Sequence, residues 1–94
     1  MAKVRWTDEA RRDLSDILIY VDEHNPSAAI DLVETIIASG NALAAFPARN
    51  PVRYPEQLRE RPVLGTRFLL LYRIEAGDLV VILAVRHGAR SRLP

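Results

Sequence analysis

The chain has no cysteine among its 94 residues, so disulfides and thiolate metal sites are excluded. Its two histidines, His24 and His87, lie far apart, which argues against a structural zinc site. No apolar run is long enough to span a bilayer, and the N-terminus has no apolar signal-peptide core. A cytoplasmic protein without membrane attachment is the expectation. Glycine-rich phosphate loops, nucleophile elbows and metal motifs are all missing, so no cofactor is expected. Lysine is nearly absent: twelve of the thirteen basic residues are arginine, and Lys3 is the exception. Arginine favours bidentate carboxylate or phosphate contacts and interface packing. No aromatic residue follows Tyr72.

The net charge of +1 hides a division along the chain. Residues 1–46 hold Lys3, Arg5, Arg11 and Arg12 against eight carboxylates, a net of −4. Residues 47–94 hold nine arginines against Glu56, Glu60, Glu75 and Asp78, a net of +5. The basic half therefore suits an acidic protein segment or a nucleic acid, unless it is simply a solvated surface. The length allows one domain, residues 1–94, burying roughly 60–65% of its unfolded surface. A partner that covers apolar surface adds stability to so small a core.

Periodicity places the elements. Lys3-Val4-Arg5-Trp6 alternates as a short strand with Val4 and Trp6 inward. Thr7 is a helix cap, and Ala10, Leu14, Ile17, Leu18 and Val21 form the apolar stripe of a helix ending near Asp22. Asp13 and Asp16 fall on its solvated side. Asn25-Pro26 opens a second helix, and Phe46-Pro47 closes it. Gly40 within that helix implies close approach to the first helix or to the sheet. Pro47, Pro51 and Pro55 stiffen a loop that carries Arg49 and Arg53. Residues 57–64 form a short strand, and Pro62, which cannot donate to a ladder, implies an edge position or a strand end. The order β-α-α-β-β-β gives an α+β domain: an N-terminal helical hairpin packed on a small, mainly antiparallel sheet.

Residues 67–74 and 78–85 form the terminal hairpin. With Ile74 opposite Leu79, one face holds Phe68, Leu70, Tyr72, Ile74, Leu79, Val81, Leu83 and Val85 and meets the core. The other holds Arg67, Leu69, Leu71, Arg73, Val80, Ile82, Ala84 and Arg86. Its aliphatic centre with arginine margins suits a partner chain more than water.

The series Trp6, Ala10, Asp13-Leu14, Tyr20, Asn25-Pro26 and Ala28-Ala29 continues through Leu43, Phe46-Pro47, Gly65-Thr66-Arg67 and Leu71-Tyr72-Arg73-Ile74. It closes on Ile82-Leu83 and His87-Gly88-Ala89-Arg90. In this order it resembles the ParE branch of the RelE/ParE toxin superfamily, over nearly the whole chain. The resemblance implies the toxin of a type II toxin–antitoxin module that inhibits DNA gyrase and is neutralised by a ParD-like antitoxin. It requires no direct nucleic-acid binding by the toxin. Arg67, Leu69, Leu71, Arg73, Ile82, Ala84 and Arg86 are the expected antitoxin-binding set, and Arg59, His87, Arg90 and Arg92 the expected target-binding set. Two departures bear on recognition: Ala84 stands where such chains often carry arginine, and Arg86 where they carry an aliphatic residue.

The rival is a RelE-like, ribosome-dependent mRNA endoribonuclease. That chemistry uses basic residues to stabilise phosphate charge, often helped by a tyrosine or histidine near the C-terminus. Here His87 with Arg59, Arg67, Arg73 and Arg86 is the available set. The hairpin register puts His87 on the core side, opposite the arginines, so a binding toxin without a catalytic residue is expected.

Overall fold

In the computed structural model, which describes residues 2–48, 50, 52 and 57–88, strand β1 spans Lys3–Trp6 and helix α1 spans Asp8–Asp22. Thr7 joins them as the cap, its hydroxyl accepting from the Ala10 amide at 3.1 Å. Asp8 and Glu9 in the first turn complement the helix dipole. Asn25 caps α2, Pro26–Asn41, by accepting from the Ala28 amide at 3.2 Å. The helix stops short of Phe46-Pro47, ending in a 3-10 turn at Ala42–Ala44. Strands β2 (Arg59–Pro62), β3 (Phe68–Glu75) and β4 (Leu79–His87) complete the chain as described.

The sheet order is β1-β4-β3-β2. The last three strands are antiparallel, and β1 joins β4 in parallel. The two helices are thus the crossover of a mixed sheet. β2 lies at the edge and ends on Pro62, so both positions open to that proline are met. Ala10, Ile36 and Leu43 pack on Leu70, Tyr72, Val80, Ile82 and Val85. Gly40 explains itself here: a Cβ would fall 2.4 Å from Trp6 Cζ2 and 2.8 Å from Ile82 Cδ1. It is the sheet that α2 approaches, and Trp6 Nε1 fastens the contact by donating to Asn41 Oδ1 at 3.1 Å. Tyr72 is buried, with its hydroxyl donating to the Pro47 carbonyl at 2.8 Å and accepting from Asn50 Nδ2 at 3.1 Å.

The hairpin register corrects the expected faces. Glu75, not Ile74, pairs with Leu79, and Ile74 pairs with Val80. The loop is three residues long, with Gly77 and Asp78 at φ of 77° and 59°. A one-residue slip moves every side chain to the opposite face. Val80 and Ile82 therefore enter the core, while Leu79 and Val81 go to the outer face. A bulge at Leu83 then separates Tyr72↔Ile82 from Leu71↔Ala84 and restores the expected faces for Ala84, Val85 and Arg86.

Candidate functional site

The outer sheet face is assembled by strand alternation. β3 contributes Leu69, Leu71, Arg73 and Glu75; β4 contributes Leu79, Val81, Ala84 and Arg86. β1 lies beside β4 with Arg5 paired to Val81 and Lys3 to Leu79, and Glu60 of β2 pairs with Leu71. Four cations therefore surround an aliphatic centre. The centre itself is uneven. Leu69, Val81 and Ala84 are buried, whereas Leu71, Leu79 and Leu83 remain half-exposed.

Of the expected antitoxin-binding set, Leu69, Leu71, Arg73, Ala84 and Arg86 share this face. Ile82 does not: it is fully buried in the core beneath α2. Val81 occupies its place. Arg67 precedes β3 and is exposed at the end of the sheet. Arg73 is held by Glu75, Nε to Oε2 at 2.8 Å. Arg86 makes a longer pair with Glu9 of α1 at 3.9 Å. Lys3 and Arg5 were absent from the expected set. Their signal lies in the alternation of β1: with Val4 and Trp6 inward, Lys3 and Arg5 face outward once β1 is seated beside β4.

Of the expected target-binding set, Arg59 and His87 are described. Arg59 braces the chain internally, its Nη1 donating to the carbonyls of Ala48 and Asn50. His87 lies on the core side as expected, its ring edge-on to Phe68 with centroids 5.7 Å apart and planes at 75°. Arg90 and Arg92 lie outside the described residues, as do Arg49 and Arg53.

Two polar side chains, Thr7 and Asp13, hold the bulge from the start of α1. The Thr7 hydroxyl donates to the carbonyls of Ile82 and Leu83 at 3.0 and 3.2 Å. Asp13 Oδ2 accepts from the Val85 amide at 2.9 Å. Asp13 is thus half-buried and structural, not part of a solvated stripe. Together these contacts fix which β4 residues face outward.

Among the described residues no cluster of histidine and carboxylate side chains is placed to hold a metal, and no helix is long and apolar enough to cross a membrane. The model of the ParE toxin of the type II toxin–antitoxin system parDE matches residues 4–92. The chain belongs to this ParE toxin family. It is 33% identical over 90 residues to toxin RelE2 of Caulobacter vibrioides, covering 96% of this chain and 99% of that one. The chromosomal ParDE system of P. aeruginosa contains a chain of the same fold, with a TM-score of 0.82 at 22% identity over 93% of this chain and 96% of that one. The RelBE2 toxin–antitoxin complex of Mycobacterium tuberculosis matches with a TM-score of 0.58 at 29% identity, covering 92% and 96%. Membership makes this ParE-family chain a type II toxin of the RelE/ParE superfamily. Relatives with ParE and with RelE names both occur.

Proposed function

We propose that this ParE-family toxin acts by binding: it inhibits DNA gyrase and is neutralised by a ParD-like antitoxin that lies across the outer sheet face. The observation that carries the reading is the composition of that face. Among the described residues it offers aliphatic side chains ringed by Lys3, Arg5, Arg73 and Arg86, with no histidine or tyrosine to move a proton. Cleaving RNA requires a base for the 2′-hydroxyl and an acid for the leaving oxygen, converging with a phosphate clamp. His87, with its ring against Phe68, lies on the face opposite Arg73 and Arg86 and shares a cleft with Arg67 alone of that expected arginine set. An acidic, amphipathic antitoxin segment suits this face on both counts, apolar and electrostatic.

The deciding experiment compares two assays of the purified toxin. Loss of gyrase supercoiling with translated mRNA left intact is expected. Codon-positioned mRNA cleavage that disappears in His87→Ala overturns the binding mechanism in favour of the ribonuclease. The antitoxin site is tested separately by Leu71→Asp, which puts a charge at the half-exposed centre of the face. Burying one partner leucine there contributes about 1.5–3 kcal/mol, so antitoxin affinity should fall at least tenfold by that measure. Unchanged affinity in a folded variant removes the antitoxin from this face.

A further inference from the structure

The far end of the sheet carries a second surface that the proposed function does not use. There the tip of the helical hairpin overhangs the start of β3 and the end of β4. An open cleft of about 740 Å³ lies between them. Its apolar walls include Ile17, Val21, Leu32 and Phe68. Asp16 lines it from α1, and Arg67 from the opposite side. Both side chains are exposed, and neither makes an ion pair or hydrogen bond among the described residues.

The turn that forms one wall also carries a protrusion. The Val63 amide donates to the Phe68 carbonyl at 3.0 Å and the Thr66 amide to the Val63 carbonyl at 3.1 Å, closing a tight turn with Gly65 at φ 80°. This leaves Leu64 at the tip, 89% exposed, the most exposed large apolar side chain among the described residues. Tyr20 on the facing wall is 69% exposed. One patch thus presents an apolar knob, an apolar hole and one uncompensated charge of each sign.

We infer that this patch is a self-association surface through which two copies of the chain pair about a two-fold axis. In such an interface residue i meets residue j and j meets i, so the patch must be complementary to itself. A second copy satisfies every feature at once. Leu64 of each protomer enters the cleft of the other, and Asp16 of each faces Arg67 of the other. A purely apolar partner would cover both charges without pairing them, which is costly. A partner of one charge sign would match one wall and oppose the other. The surface is separate from the outer sheet face, so dimerisation stands or falls independently of the gyrase and antitoxin reading.

Sedimentation equilibrium of the full chain, purified free of antitoxin, is expected to show a reversible monomer–dimer equilibrium. Asp16→Arg sets arginine against arginine at both symmetry-related contacts, and Arg67→Asp sets carboxylate against carboxylate. Each should weaken association by about tenfold or more. Mixing the two variants restores opposite charges at both contacts, so an Asp16→Arg/Arg67→Asp heterodimer should form where neither variant pairs with itself. A merely structural role for either residue predicts no rescue. Leu64→Asp should give folded monomers whose thermal stability equals that of the wild type at concentrations where the wild type is also monomeric, because the side chain lies in solvent in the monomer. A wild-type chain that stays monomeric at every concentration overturns the inference. So does a dimer that all three variants leave intact, or one that the mixture fails to restore. If the wild type is monomeric and Leu64→Asp instead weakens antitoxin binding, the patch belongs to the antitoxin.

Discussion

The two halves of β4 differ in how they acquire their faces. From Leu79 to Ile82 the side chains follow the turn: a three-residue loop sets Glu75 opposite Leu79 and sends Val80 and Ile82 inward. From Ala84 to His87 they follow the bulge at Leu83, which is held by Thr7 and Asp13. The first half is governed by local backbone geometry, the second by contacts more than seventy residues away in sequence. A shift at either control point exchanges core and outer residues without changing the composition of the strand. The outer face is therefore specified twice, once by the loop and once by the start of α1.

The largest expected effect inverts the naive alternation. Ile82→Ala should cost about 2–5 kcal/mol, since it opens a cavity against Gly40 and Trp6 in the core. Leu83→Ala, at the half-exposed bulge, should cost less than about 1 kcal/mol, in the range of surface substitutions. Urea unfolding of both variants measures the difference. Equal costs, or a larger cost at Leu83, would restore the register in which Leu83 faces inward.

The second effect is smaller and acts beyond the bulge. Asp13→Ala removes the acceptor for the Val85 amide and should cost about 1–3 kcal/mol, as expected for a buried donor left unpaired. Asp13→Asn keeps an acceptor oxygen and should recover most of that loss. Hydrogen exchange reads the location directly: the Val85 amide should exchange faster in Asp13→Ala, while amides within 79–82 stay protected. Uniform acceleration along the whole strand would mean that the two halves are not separately held.

Much of this was legible in the residues. Thr7 and Asn25 announce both caps, Pro62 announces the edge, and Gly40 announces a close approach. The β-α-α-β-β-β order follows from periodicity, and the family follows from the series of motifs. The register of β4 was not legible, for a physical reason. Leu79-Val80-Val81-Ile82-Leu83-Ala84-Val85 is apolar at every position, so alternation cannot say which face is inward. The turn decides it, and Asp78 at positive φ shortens the loop by one residue relative to the expected four-residue turn. Asp13 was misread because its partner is a backbone amide freed by a bulge that no side-chain pattern encodes. For the candidate site, that slip exchanged Ile82 for Val81 and left Arg73 and Arg86 in place.

The smallest effect separates the two halves at their charged margins. Arg73, beside the turn-governed half, is already engaged by Glu75 at 2.8 Å. Among the described residues Arg86, in the bulge-governed half, has only the 3.9 Å contact with Glu9, and its side chain is 49% exposed against 65% for its partner. A pair so solvated and so long contributes little to folding. A Glu9→Ala/Arg86→Ala double-mutant cycle should give a coupling below about 1 kcal/mol, and salt should screen most of it. Arg86 is thereby available to a partner carboxylate at almost no cost in stability, whereas Arg73 must first leave Glu75. If the antitoxin uses this face, Arg86→Ala should slow association and flatten its salt dependence more than Arg73→Ala does, with dissociation changed less, as is usual for charges at an interface rim. Stopped-flow association at two ionic strengths measures this. A larger effect at Arg73 would mean that the partner breaks the Arg73–Glu75 pair on binding and enters from the turn end of the sheet.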